Sequence, residues 1–567
     1  MIILITIKKL ILFASLISLT LFFFASCKGQ QVSKDLHVIE SLNADSILRH
    51  HILELSFRHN GVYSDNFFDV EISTVFTSPS GATREIKGFY YNNDVWKVRF
   101  RPAEAGLWNY MYKFIGKGGY QNEGKGIFNC LPSDQDGQIL RNPANPYRWI
   151  YSNGKPYFPI GVQEGVGTEL GDKMIDGEGR NDGKARTVTL DEYFSIYGKV
   201  GFNLFRFSQK NASYALYDDL DHYRIDEALA TDKLLSIACG HGFRVMFGIF
   251  GFHENWMQGG NRFIRFFKRT MNNILGTKEE ALFKPDNKKI ILKEKRFIDY
   301  AVARWGVYAD FWELLNEREA SDEWTTIMAD YIHLIDPYSR PVSTSYEKPN
   351  LPAIDINAPH WYESESEFQS DVRVQQVASK WKQWNKPVIV GEHGNSGANW
   401  DPLSSRRMRI RIWTALFNEI SFIFWNTSWS KFGNSNVCAN IYLGPEERGY
   451  IRVLRDYSSR LDSDIQITAV EVSPSDGVRA FGLRSNSLSA VYLHHFDNHS
   501  NPVNDVSISV KLPDNANSNK DQDLIGEWID PATGRVLSRF IVSPDNQNLK
   551  VPSFTIDLAL FVKIGKM

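Results

Sequence analysis

The chain has 567 residues, more than one ordinary domain holds, and this length sets an expectation of about two to four domains. Hydrophobic residues make up 43% and aromatic residues 13%, enough for large cores, which excludes disorder as the default state. The net charge of −2 gives no electrostatic basis for a nucleic-acid partner or an anionic membrane surface.

The N-terminus begins with a targeting pattern. Lys8 and Lys9 precede an apolar run from Leu10 to Ala25, and small residues then lead to a cysteine in Phe24-Ala25-Ser26-Cys27. The run is shorter than the ~20 residues of a membrane span, although a membrane anchor helix is the alternative reading. A Cys directly after small residues resembles the lipobox of bacterial lipoproteins, with Phe24 where Leu is usual. The resemblance implies that residues 1–27 are a signal peptide and that Cys27 becomes the lipidated first residue. The chain is then tethered to a bacterial cell envelope, periplasmic or surface-exposed, and meets the membrane through that lipid alone. Cys130, Cys239 and Cys438 remain. They show no metal-ligand spacing and are expected to be buried thiols acting as small apolar residues.

Residues 28–134 alternate with period two in FDVEISTVFTSP (68–79), VWKVRFRP (95–102) and LWNYMYKFIG (107–116), with Gly, Pro and Asn between. This pattern predicts antiparallel strands in a β-sandwich. The run GFYYNNDVWKVRFRPAEAGLWNYMYKF resembles the N-terminal sandwich often fused to bacterial glycoside hydrolases, once catalogued only as a domain of unknown function.

Residues 135–462 change character. Eight apolar strands are predicted at 157–162, 202–207, 244–250, 310–316, 340–346, 353–360, 386–392 and 420–426, with amphipathic stretches such as DKLLSIACGHG (232–242) and WTTIMADYIHLID (324–336) between them. Eight β-then-α units make a (β/α)₈ TIM barrel the expected fold. An open doubly wound sheet is the alternative, weakened by the lack of a G-x-G-x-x-G after the first strand. The polar, basic stretch 272–295 is expected to be a long surface loop after strand three. Residues 463–567 return to β-pattern in GVRAFGLR, LSAVYLHHF and FTIDLALFVKI, which predicts a C-terminal β-sandwich. GEWIDPATGRVL resembles the C-terminal sandwich of several polysaccharide-degrading enzymes.

In such a barrel the chemistry sits where the strands end. Strand two ends near Arg206, strand three is followed by His253, and strand four ends Asn316-Glu317. Strand six ends His360-Trp361-Tyr362, strand seven ends Glu392-His393, and strand eight ends at Trp425. Taken singly each has a bland explanation: a salt bridge for Arg206, a loop hydrogen bond for His253, solvent for a glutamate, core packing for Trp425. Their convergence on one rim is what points to a site. Trp256, Trp361, Trp400 and Trp429 are further rim aromatics, each as readily packed under a loop as bound to a sugar. Glu313 is placed before the strand end, where it could also line the barrel interior.

The ordered set resembles clan A of the glycoside hydrolases, and family 5 most of all. In that family Arg stands on strand two, His after strand three, Asn-Glu on strand four, His-x-Tyr after strand six, Glu on strand seven and Trp on strand eight. The resemblance implies a retaining hydrolase of β-glycosidic bonds in a polysaccharide or oligosaccharide. Glu317 would be the acid/base and Glu392 the nucleophile, with carboxyls about 5–5.5 Å apart. Arg206 and Tyr362 would donate to Glu392, Asn316 would hold the sugar 2-hydroxyl, His360 would tune Glu317 or bind sugar, and Trp425 would floor the site. Glu317 is expected to carry a raised pKa and Glu392 to stay ionised. The mechanism needs no metal and no cofactor. A carbohydrate-binding lipoprotein with an inactive barrel is the second reading.

Overall fold

The computed structural model describes residues 37–565 apart from 164–165, 168–172, 177–185, 210–212, 251–281, 396–400, 426–441, 475, 514, 516–522 and 545–546. Cys27, His253, Cys438, Trp256, Trp400 and Trp429 lie outside the described residues.

Eight parallel strands close into a barrel: β1 (Gly161–Gln163), β2 (Leu204–Ser208), β3 (Arg244–Phe250), β4 (Phe311–Leu315), β5 (Val342–Thr344), β6 (Ile356–Asn357, resuming at His360–Tyr362), β7 (Val388–Gly394) and β8 (Ile420–Trp425). Each pairs with its neighbour in order. β1 pairs with β8, and β6 pairs with β7 through Asn357 and Val388, which completes the ring. The open-sheet alternative is thereby excluded. Among the described residues seven helices wrap the barrel: α1 (Leu190–Val200), α2 (Ile225–Gly240), α3 (Lys288–Trp305), α4 (Asp322–Ile335), α5 (Ser370–Lys382), α6 (Ser404–Phe417) and α7 (Pro445–Ser458). The short β5–β6 connection carries none.

Residues 288–295, expected as loop, form the first turns of α3. Asn287 caps it by accepting from the Ile290 amide, and Ile290, Glu294, Phe297, Ile298 and Ala301 form its buried face. The lysines that gave the stretch a loop-like composition lie on the opposite, solvated side of an amphipathic helix.

The barrel interior is layered. At the N-terminal ends of the strands, Leu204, Met246, Phe311, Ile356, Ile389 and Ile423 pack together. Ile139, Trp149 and Tyr157, from a small antiparallel sheet, plug that end. One layer up, toward the C-terminal ends, the interior turns polar with Arg206 and Glu313, both fully buried. Strand alternation puts Phe205, Phe207, Trp312 and Leu314 outward against the helices.

Two sandwiches flank the barrel. The N-terminal one packs a four-stranded sheet (order Val38–Leu42, Leu53–His59, Val95–Phe100, Phe89–Asn92) on a five-stranded one around Phe57, Phe76, Trp96, Trp108 and Phe128. It docks on α2 and α3 through Arg99, whose guanidinium meets Asp232 at 3.0 Å beside Arg304. The C-terminal one packs a six-stranded sheet on a three-stranded one. Its strand Leu488–His495 is buried at every position because one face meets the small sheet through Val491 and Leu493. The other face meets the barrel helices through Ala490 and Tyr492. Arg409 and Asp557 join α6 to this sheet at 2.9 Å. Among the described residues Cys130 is a buried and Cys239 a part-buried free thiol.

Candidate active site

The C-terminal mouth of the barrel gathers Arg206, Asn316, Glu317, His360, Tyr362, Glu392 and Trp425, seven of the eight rim residues expected from sequence. Arg206 is the hub. Its Nη1 donates to Glu392 Oε1 and to Gln163 Oε1, each at 2.6 Å. Its Nε and Nη2 grip both oxygens of Glu313 at 2.9 Å, and Nη2 also donates to Asn316 Oδ1. This fork geometry is what only guanidinium supplies. Gly248 makes the inner pair possible, since a Cβ there would stand 3.3 Å from Glu313 Oε2 and 2.9 Å from the Phe207 carbonyl.

Glu392 is aimed inward by a bulge in β7. Between Val390 and His393 the strand carries one residue more than β8 carries between Phe422 and Phe424, which bends it and re-aims the side chain. The Tyr362 hydroxyl donates to Glu392 Oε2. Glu317 follows β4 in left-handed backbone, φ +45°, a conformation that costs a non-glycine residue about 1–3 kcal/mol. That turn brings its carboxylate to His360, with Nδ1 and Oε1 2.7 Å apart. His360 Nδ1 also faces Glu392 Oε2 at 3.5 Å. Glu317, His360 and Glu392 each place one polar atom within 4.8 Å of the others. A divalent ion could use such spacing, but the Arg206 charge already sits 2.6 Å from Glu392 and would repel it.

The site's electrostatics reverse the expected order of the two carboxyl pKa values. Burial pushes Glu317 up, but the His360 hydrogen bond and charge, with Arg206, outweigh it and hold Glu317 below the ordinary range. Burial dominates at Glu392 and raises it despite His360 and Arg206. At His360 burial works downward, yet the charge of Glu392 and the bond to Glu317 raise it. The physical reason is that Glu317 keeps 35% of its side chain in solvent while Glu392 keeps 5%.

Trp425 ends β8 in register with Gln163 and is 3% exposed. Its indole Nε1, Gln163 Nε2 and Asn316 Nδ2 are buried donors without partners among the described residues. Trp361 packs on His393 and Phe422 with ring centroids 4.7 and 5.8 Å away. Burial and Arg411 push His393 well below its ordinary value; as a neutral ring it donates Nδ1–H to the Trp361 carbonyl at 2.8 Å, fixing the backbone between His360 and Tyr362.

Gln163, Glu313 and Ser345 complete the site without having been expected as site residues. Each had a faint signal: Gln163 and Ser345 are polar residues ending β1 and following β5, and Glu313 shares the inward phase of Phe311. Gly391 has a clearer one. A Cβ there would stand 3.3 Å from the His360 ring and 3.1 Å from the Ala358 carbonyl. Gly391→Ala is therefore expected to shift His360 by a few tenths of an ångström and lower turnover about tenfold, read as kcat with the fold intact by circular dichroism.

A family model described as a domain of unknown function (DUF5060) matches residues 46–114, inside the N-terminal sandwich. A search of curated proteins gives no match. Among solved structures, a provisionally assigned glycoside hydrolase from Bacteroides vulgatus ATCC 8482 is similar over 92% of this chain and 100% of its own, with TM-score 0.60 and 17% identity. A family 39 glycoside hydrolase from Bacteroides cellulosilyticus WH2 covers 93% and 100% (TM-score 0.40, 11% identity). A family 5 xyloglucanase from Bacteroides ovatus covers 75% and 100% (TM-score 0.33, 10% identity). The first shares the fold of this chain along nearly its whole length: a multidomain TIM barrel with flanking β-domains.

Proposed function

We propose that this protein is a retaining β-glycoside hydrolase of the family 5 type in clan A. The observation that supports the reading most is the carboxylate geometry. Glu317 and Glu392 come within 4.8 Å of one another at their nearest oxygens and share His360. Inverting pairs stand about 6.5–9.5 Å apart to admit a water, whereas retaining pairs stand about 5–5.5 Å apart.

In this reading Glu392 attacks the anomeric carbon while Glu317 protonates the departing oxygen. Water, deprotonated by Glu317, then releases the sugar from Glu392. Arg206 and Tyr362 hold Glu392 in line and disperse its charge. Asn316 Nδ2, whose Oδ1 is tied to Arg206, is free to donate to a sugar hydroxyl. The depressed pKa of Glu317 is that of a carboxylate with a third of its side chain in solvent and bonded to His360. A sugar that covers its exposed third removes solvent from the carboxylate and raises its pKa, and the proton then crosses the 2.7 Å link from His360 Nδ1.

The pH dependence follows. Glu392 must be ionised and its pKa is raised, so activity rises with pH through a midpoint above 4.5. The His360–Glu317 proton must be present and the His360 pKa is raised, so activity falls through a midpoint above 6.5. A bell-shaped kcat/KM profile with both limbs displaced upward is expected.

The test is product release from a broad panel of polysaccharides and aryl glycosides. Hydrolysis by the unmutated protein names the sugar. Binding of a glycan with no product from any substrate would instead favour the carbohydrate-binding reading. The same proposal keeps the chain on a bacterial envelope through lipid on Cys27: Cys27→Ser is expected to move it from the membrane fraction to the soluble one.

A further inference from the structure

Ser345 follows β5 and is 2% exposed. Its Oγ lies 3.1 Å from Glu313 Oε1, 3.3 Å from the Ala358 carbonyl oxygen and 3.1 Å from His360 Nε2. A hydroxyl has one hydrogen to give and lone pairs to receive others. Two of its three neighbours can only accept. Glu313 is paired through both oxygens with Arg206 and so is a carboxylate; Ala358 offers a carbonyl. A carboxylate oxygen draws the Ser345 hydrogen more strongly than a neutral ring nitrogen does. With that hydrogen given to Glu313 or Ala358, Oγ is left to accept, and a protonated ring nitrogen 3.1 Å away supplies the donor.

We propose that Glu313 and Ser345 are positioning residues that fix a proton on His360 Nε2 and so reserve His360 Nδ1 for the acid/base proton of Glu317. The charged groups facing the ring fit this assignment. Glu317 and Glu392 face Nδ1 at 2.7 and 3.5 Å, Arg206 stands beyond Glu392, and Glu313 acts through Ser345 on the opposite side. With Nε2 protonated, neutral His360 presents a lone pair at Nδ1. Protonated Glu317 donates to that lone pair and stays loaded as an acid. When Glu317 has given its proton to the leaving oxygen, its carboxylate faces a lone pair instead of an N–H. It is then a stronger base for the proton of the incoming water, which returns Glu317 to its starting state. Without the relay, His360 can adopt the Nδ1–H form, bond the Glu317 carboxylate, and weaken it in both steps.

The kinetic part of this inference rests on the glycosidase reading; the tautomer does not. The test is ¹⁵N NMR of the full chain labelled at histidine, with His360 assigned by its loss in His360→Gln, at a pH where His360 is neutral. The expected result is a protonated Nε2 and an unprotonated Nδ1 in the unmutated protein, shifting toward Nδ1–H in Ser345→Ala. A neutral Nδ1–H ring in the unmutated protein, or the same tautomer in both, would overturn the proposal. In parallel, Ser345→Ala should lower kcat/KM about tenfold for glycosides with poor leaving groups and much less for activated aryl glycosides, with Ser345→Thr restoring it. Equal loss on both substrate types would overturn the acid/base role. A protein that hydrolyses nothing removes the glycosidase reading while the NMR result still decides the relay.

Discussion

Glu392→Gln is expected to lower turnover by about 10⁴-fold or more while leaving the fold and glycan binding in place. The substitution preserves size; its amide oxygen can still accept from Arg206 while its NH2 donates to the Tyr362 hydroxyl oxygen, so the packing around a residue with 5% of its side chain exposed should hold. What it removes is the anionic oxygen that attacks the anomeric carbon. Glu317→Ala is expected to behave differently. Its loss should be about 10²–10⁴-fold where the leaving group needs a proton and small in the first step for an activated aryl glycoside. Two glutamates with these separate signatures would define nucleophile and acid/base. Turnover by Glu392→Gln within tenfold of the unmutated protein would remove Glu392 from that role.

The largest stability effect is expected at Asp232→Ala, about 3–5 kcal/mol. Asp232 on α2 receives Arg99 of the N-terminal sandwich at 3.0 Å, Arg304 of α3 at 2.8 Å and the Trp305 indole at 2.9 Å. Removing it leaves two buried guanidinium groups without their shared anion. Burial alone would raise the Asp232 pKa, but Arg304 and Arg99 outweigh it and hold it below the ordinary value. The sign follows: the stabilisation is intact above the unfolded-state pKa and is lost as pH falls through the depressed folded one. Lys87–Asp299 spans the same joint with side chains 54% and 30% exposed, so Lys87→Ala should cost less than about 1 kcal/mol. Urea unfolding of the two variants checks the contrast; equal small losses would mean the joint is held by its apolar contacts, among them Phe67 against Tyr223 and Tyr300.

Much of this molecule was legible in its sequence, and the boundary is physical. The barrel strands were readable because a strand covered by helices must be apolar over most of its length, and its polar end then stands out. FWELLNE shows both the reach and the limit of that reading. Leu314 and Leu315 stay with the packing, and Asn316-Glu317 arrive at the mouth. Glu313, in the same seven residues, is a buried partner of an arginine 107 positions away; its inward phase with Phe311 hints at the barrel interior, but nothing local names the arginine. Gln163 and Ser345 escaped notice for the same reason, since their meaning comes from neighbours on other strands. The left-handed backbone of Glu317 and the β7 bulge that turns Glu392 inward have no composition of their own; Gly391 is their one trace. The order of the carboxyl pKa values was misread because the sequence carries no information on which glutamate keeps its solvent. The first turns of α3 were misread because lysines on a solvated face dominate composition while Ile290 and Phe297 set the period.

The most direct test of the central claim is the anomeric configuration of the first product, followed by ¹H NMR from the moment of mixing with whichever β-linked glycan the panel shows to be cleaved. Initial release of the β-anomer, appearing before mutarotation and absent with Glu392→Gln, is the expected result. Initial release of the α-anomer would contradict a Glu392 glycosyl-enzyme and the role assigned to the closely set carboxylates.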